Sequence, residues 1–187
     1  MTKRDQLVRM LATRSARRGN FTLASGRQST LYIDARLTTM TPDGQRLIGR
    51  LGLAAIAAAK WDADAIGGLT LGADPIAYAI CHSSADTSRP LRAFTVRKEP
   101  KAHGTGKQVE GPLAAGDKVV IVEDVITTGG SATRAVEAVR RAGAVPVGIL
   151  ALVDREEGGR EALEALGLDV RALATATDII PYIAASA

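Results

Sequence analysis

Apolar positions Leu7, Val8, Leu11 and Ala12 recur at helical spacing within residues 4–18, and Gly19 follows as a stop, so the chain is predicted to open with a helix. Phe21–Arg27 and Leu31–Asp34 then read as two short strands around a turn. Thr41 and Pro42 supply a cap followed by proline at the first helical position, and Leu47, Leu51 and an alanine-rich tail carry that helix to Lys60. Ala65–Leu69 is a strand. Asp74-Pro75 repeats the cap-and-proline device and starts a helix through Ser83, and Leu91–Arg97 returns as a strand. From Glu99 to Pro112 the periodicity vanishes, leaving a long, polar, mostly basic loop of the kind that serves as a lid. Beyond it, Val119-Val120-Ile121-Val122 suits a strand buried on both faces of a parallel sheet. Helix 131–142 buries Ala132, Ala135, Val136 and Val139 before Gly143 ends it. A strand at Val147–Val153, a short helix at Arg160–Leu166 and a strand at Val170–Ala174 complete the alternation.

Strands alternating with helices predict an α/β fold with a central, mainly parallel sheet flanked by helices. The two early strands fall outside that alternation. They predict a small N-terminal hood, formed mainly by the first 40 or so residues, that covers the carboxyl edge of the sheet. With 187 residues and no internal repeat or linker, the whole chain is expected to form one domain.

Composition narrows the classes of function. Hydrophobic residues at 46% and charged residues at 24% are ordinary for a globular protein. One cysteine, Cys81, cannot build a disulfide framework or a cysteine-rich metal site and reads as a small helix residue of the core. The charged start, Met1–Gln6, leads into no long apolar segment, and no run reaches membrane-spanning length, so the chain is read as cytoplasmic. A net charge of +4 fits nucleic acid, and it equally fits small substrates that carry several phosphates. Arg14, Arg17, Arg18, Arg140 and Arg141 are expected near helix C-termini, where cations complement the dipole. An aromatic content of 3% leaves few stacking platforms for single strands, which makes nucleic acid the weaker reading.

The chemistry concentrates after the buried strand. Glu123 and Asp124 are followed by Val125, Ile126 and the small, hydroxyl-bearing turn Thr127-Thr128-Gly129-Gly130-Ser131, and then by a helix. Backbone N–H groups of such a turn and the helix N-terminus hold a phosphate beyond the carboxyl end of the strand. Two carboxylates beside an anion need ribose hydroxyls or a divalent ion between them. Strand neighbours point to opposite faces, so both acids address one ligand only if the chain departs from the regular strand at Glu123. This run resembles the phosphoribosyl pyrophosphate (PRPP) motif of type I phosphoribosyltransferases. It lacks the Gly-Lys-Ser/Thr of the Walker loop and the Gly-x-Gly-x-x-Gly of dinucleotide sites.

Three further segments, Phe21–Arg27, Arg97–Gly104 and Asp154-Arg155, are similar to orotate phosphoribosyltransferases. That resemblance implies transfer of ribose 5-phosphate from PRPP to orotate, with release of pyrophosphate, in UMP synthesis. It implies that Arg97, Lys98, Lys101 and His103 contact the pyrophosphate. Lys101 and His103 would reach into the neighbouring active site of a homodimer, and Lys101, His103 and Asp124 would be the catalytic residues. The 123–131 run would bind PRPP, with Glu123 and Asp124 on the ribose hydroxyls. Orotate carries a carboxylate that Arg155 can meet with paired hydrogen bonds, and Thr127 lies near enough to touch the base. Ala24, Ser25 and Gly26 would close the orotate pocket from the hood, with Tyr32 and Ile33 beneath the base. His82 reads instead as a cation late in its helix.

Mg²⁺ is implied as the cofactor, held mainly by PRPP and water rather than by a protein cage. Two positions depart from enterobacterial-type members, which have a lysine where this chain has Ala24 and a Tyr-Lys pair where it has Thr70-Leu71. Other readings remain open: a phosphoribosyltransferase for another base, or an RNA-binding pyrimidine regulator on the same fold.

Overall fold

The computed structural model describes residues 1–22, 28–99 and 107–184. The first helix is shorter than its periodicity predicts. α1 spans Lys3–Met10 behind a reciprocal cap, in which the Thr2 hydroxyl accepts from the Asp5 N–H and the Asp5 carboxylate accepts from the Thr2 N–H. A π-helical turn follows at Leu11–Ser15, and the chain then leaves as β1 (Ala16–Thr22). Arg17 and Arg18 therefore lie in a strand rather than at a helix C-terminus. Tertiary partners decide this: the buried Ser15 and Thr38 hydroxyls bond at 2.7 Å, and Ser15 C=O accepts from the Asp34 N–H at 2.9 Å. β1 pairs antiparallel with β2 (Gln28–Ile33) as a separate two-stranded sheet, setting Ala16 opposite Ile33.

After the short α2 (Arg36–Thr39), α3 spans Pro42–Ala58, and the Thr41 hydroxyl caps it by accepting from the Gly44 N–H. That hydroxyl also donates to Thr38 C=O at 2.8 Å. Thr41→Ala is expected to lower unfolding free energy by about 1 kcal/mol, read as a denaturation midpoint shift at unchanged slope.

β3 (Ala65–Leu69) leads into α4 (Asp74–Ser84), but Asp74 is not its cap. Ala73 occupies that position, and Asp74, already helical, accepts from the hydroxyls of Thr70 at 2.6 Å and Thr95 at 2.9 Å. The acid thus ties the turn after β3 to the next strand instead of closing its own helix. His82 sits in the last turn of α4 as expected, and Cys81 on the same helix is half-buried. β4 (Arg92–Val96) is followed by a short β5 (Val109–Glu110), so the far end of the expected lid loop is anchored by antiparallel pairing to β4. β6 (Lys118–Ile126), α5 (Gly130–Arg141), β7 (Val145–Asp154), α6 (Gly159–Glu164), β8 (Val170–Thr175) and α7 (Ala176–Ile179) complete the order.

The main sheet runs β5-β4-β3-β6-β7-β8, parallel except for β5. Two apolar layers sandwich it. Val120 and Val122 of β6 join Ile48 of α3 and Ile80 of α4 on one face, while Val119 and Ile121 join Val136 and Val139 of α5 on the other. Neighbouring β3 and β6 are continued in opposite directions, β3 through α4 to β4 and β6 through α5 to β7. The carboxyl ends of β3 and β6 therefore border a topological switch point, where open α/β sheets bind their ligands.

Candidate active site

β3 stops at Leu69 and pairs with β6 only as far as Gly68 opposite Val122, whereas β6 stays paired with β7 to Ile126 opposite Asp154. Glu123 and Asp124 thus lie beyond the end of one neighbour while still in register with the other. The chain does not leave the sheet at Glu123, but the alternation of faces slips there. Val125 packs against the layer that holds Val122, and Ile126 joins the layer that holds Ile121. Both acids consequently line one pocket of about 320 Å³ at the switch point.

The same pocket brings together Tyr32, Ile33, Lys98 and Ser131, all expected from sequence. Thr70, Leu71 and Gly72, whose backbone is the turn expected to cradle pyrophosphate, line it too, whereas sequence reasoning missed Asp34, Arg36 and Arg134. Arg134 follows helical periodicity one turn beyond Ser131, a signal that could have placed it on the pocket side of α5. Arg36 could not be placed, because its turn is held by local bonds to Asp34 and Ala35 that do not say which element the turn will face. Thr127 and Arg155 lie outside the pocket's lining, as does Arg97, whose Nη1 is 3.9 Å from Glu110. Lys101, His103, Ala24, Ser25 and Gly26 lie outside the described residues.

Burial sets the protonation of the first acid. Glu123 is 8% exposed, and burial, then the adjacent Asp124 charge and its hydrogen bond, raises its pKa well above the ordinary carboxylate range, with Arg134 opposing. Its buried Oε2 has no hydrogen-bond partner among the described residues. Asp124 Oδ1 accepts from the Val125 N–H at 2.9 Å, and its carboxylate lies against Gly72, leaving no room there for a Cβ.

The turn after the acids is shaped for an anion. Gly129 has φ +80° at the helix boundary, and no side chain caps α5, so the N–H groups of its first turn keep their polarity for a ligand. Ile126, Thr127 and Gly129 pack against Gly159, where a Cβ would press on Thr127 C=O. Opposite this turn, residues 70–72 follow β3 with a cis Thr70-Leu71 peptide and with Leu71 60% exposed.

Arg155 is not a surface charge. At 7% exposure it donates from Nη2 to Ser29 Oγ of β2 at 2.8 Å and pairs with Glu157 at 2.5 Å, while its buried Nε lacks a partner among the described residues. It joins the hood to the carboxyl end of β7. On the hood, Tyr32 packs on Phe21 with ring centroids 5.4 Å apart. Among the described residues, no group of three or more His, Cys, Asp or Glu is gathered to hold a metal ion, and no helix is long and apolar enough to cross a membrane.

Comparisons with known proteins agree with this geometry. The family model for a phosphoribosyl transferase domain matches residues 54–166. The orotate phosphoribosyltransferase of Aquifex aeolicus is 44% identical over 183 residues, covering 96% of this chain and 99% of that protein. Orotate phosphoribosyltransferase of Mycobacterium tuberculosis, solved with Fe(III) dicitrate, superposes with a TM-score of 0.83 at 43% identity, over 95% of this chain and 99% of that one. The same enzyme solved with PRPP gives a TM-score of 0.76 at 40% identity, again over 95% and 99% of the two chains.

Proposed function

This chain belongs to the orotate phosphoribosyltransferases of the type I phosphoribosyltransferase family, and on that premise we propose how its residues divide the reaction. The enzyme transfers the ribose 5-phosphate of PRPP to orotate, giving orotidine 5′-monophosphate and pyrophosphate in pyrimidine synthesis. The observation that carries the assignment of roles is the switch-point pocket, in which an uncapped helix N-terminus, two carboxylates and a glycine turn follow one another across the sheet.

The 5′-phosphate is placed on the N–H groups of Thr127–Ser131, where the α5 dipole favours an anion. Glu123 and Asp124 accept from the ribose hydroxyls, and the unpartnered Glu123 Oε2 supplies an acceptor for one of them. Pyrophosphate then extends past Gly72 toward Lys98. No covalent nucleophile is required. The transition state has oxocarbenium character, so positioning, neutralisation of the leaving group and exclusion of water carry the rate. Lys101 and His103 are assigned to that neutralisation from a neighbouring subunit of a homodimer, with Lys101 foremost for rate and Arg97 beside them.

Orotate is placed on the hood side, over Tyr32 and Ile33, with Thr127 and the backbone of Ala24, Ser25 and Gly26 around it. The unpartnered Nε of Arg155 supports an anionic base nearby, since a buried donor without an acceptor is costly. Arg155→Gln is expected to raise the KM for orotate about tenfold with little change in the KM for PRPP, and to lower Tm because a buried guanidinium and its ion pair with Glu157 are lost.

Enzymes of this family use Mg²⁺ with PRPP. The oxygen donors of Glu123 and Asp124 would suit a hard cation carried by the substrate, and the two acids are assigned to orient the sugar. When bound, the ion supplies charge neutralisation at the phosphates. A cytoplasmic location follows from the metabolic role. Incubating the protein with PRPP, Mg²⁺ and orotate, and following loss of orotate absorbance, tests the reading. Turnover of a purine with orotate untouched would assign the site to another base.

A further inference from the structure

Passing across the sheet, the phosphate turn follows β6, residues 70–72 follow β3, and Lys98 follows β4. A substrate with its 5′-phosphate at the first therefore directs its pyrophosphate to the other two. Among the described residues, Lys98 is the positive side chain that lines the pocket at that end. The Thr70 hydroxyl is committed to Asp74, Leu71 is apolar and exposed, and Gly72 has no side chain. Pyrophosphate carries several negative charges and departs with more, so a cation beyond Lys98 and the assigned Lys101 and His103 adds to its stabilisation.

A second cation enters from the hood. Arg36 lines the same pocket at the start of α2, and its guanidinium lies within electrostatic range of Asp124. Its pose is set by Asp34, whose carboxylate accepts from Nε at 2.8 Å and from Nη2 at 3.0 Å. The same carboxylate accepts from the Arg36 N–H at 3.1 Å, and the Asp34 N–H donates to Ser15 C=O, so the clamp is anchored to the hood backbone. One edge of the planar guanidinium is used by Asp34. The other, which includes Nη1, has no protein acceptor among the described residues, and that edge has the geometry to grip phosphate oxygens in pairs. Both partners are partly exposed, at 49% and 20% for the side chains, so the pair contributes little to stability and much to orientation.

We propose that Arg36, oriented by Asp34, binds the pyrophosphate moiety of PRPP and supplies from the hood the charge that the Thr70-Leu71-Gly72 turn lacks. This rests on the PRPP reading of the pocket and extends it to a residue outside the family motif. Arg36 is a substrate-binding residue, and Asp34 acts only through it. Since the hood carries the clamp, leaving-group contact and hood position are linked in one turn of chain.

Titration calorimetry with PRPP, inorganic pyrophosphate and ribose 5-phosphate on the full chain separates the possibilities. Arg36→Gln is expected to weaken PRPP and pyrophosphate at least about tenfold while ribose 5-phosphate stays within about twofold. Asp34→Asn should show the same selectivity at a smaller size, and Arg36→Lys should recover part of the loss, because it keeps the charge without the fork. Equal weakening of all three ligands marks a purely structural pair and overturns the proposal, as does unchanged pyrophosphate affinity. If Arg36→Gln does not fold, Arg36→Lys decides by the same comparison. Wild-type protein that binds no PRPP overturns the underlying site reading, and that result is distinct from a failure of Arg36 alone.

Discussion

Gly72→Ala is expected to lose at least about a hundredfold in kcat/KM while the protein remains folded. A Cβ at that position would overlap the Asp124 carboxylate carbon and both of its oxygens. Something must move, and either movement is damaging. If Asp124 rotates away, a ribose acceptor is lost from the pocket, whereas if residues 70–72 shift, the pyrophosphate turn shifts with them. The position lies on a turn at the mouth of the pocket and outside both apolar layers, so Tm should change little. Steady-state kinetics with PRPP varied, beside a thermal melt, check this. A variant with normal kcat/KM would show that Asp124 tolerates displacement and that its assigned role is wrong.

Glu123→Gln is expected to be more stable than the wild type near neutral pH and at least about tenfold slower. Burial raises the Glu123 pKa from its ordinary 4.5, so above that pH the folded state holds a proton that the unfolded state releases. Folding stability from this group is therefore fully present below the ordinary value and declines as pH rises toward the raised one. Glutamine carries no such dependence. The Tm advantage of the variant should grow as pH rises above the ordinary carboxylate range, at roughly 2–4 °C per kcal/mol for a chain of this size. Activity moves the other way because the amide puts an NH2 donor where the carboxyl has its second oxygen, so one acceptor for the ribose hydroxyls is lost. An advantage that stays constant with pH would mean that Glu123 is not a buried, destabilised carboxylate. The unpartnered Oε2 already expresses the conflict: the site keeps a costly group because the substrate, rather than the protein, satisfies it.

The hood shows where reading from sequence stopped. Leu7, Val8, Leu11 and Ala12 correctly marked a helix, but continuing it to residue 18 overlooked that Ser15 is buried against Thr38, a contact 23 positions away. Asp74 was misread in the same manner. Asp-Pro is a sound local cap signal, yet the Thr70 and Thr95 hydroxyls compete for the carboxylate from outside the helix. By contrast, Thr41-Pro42 behaved as expected because its cap partner lies within its own first turn.

Within the site the division is similar. Val119–Ser131 was legible as a whole because strand, acids, turn and helix are contiguous, and each step rests on local chemistry: β-branched burial, glycine at positive φ, an uncapped helix start. Sequence by itself therefore determined the α/β alternation, the phosphosugar motif and the family resemblance. Only the tertiary structure decided that both acids share one pocket, since that depends on β3 ending one residue past Gly68 while β6 stays paired with β7 as far as Ile126 opposite Asp154. It alone buried Arg155 against the hood and brought Arg36 and Arg134 to the rim. These placements join segments far apart in the chain, and periodicity reports which face a residue takes on its own element but not which element that face will meet.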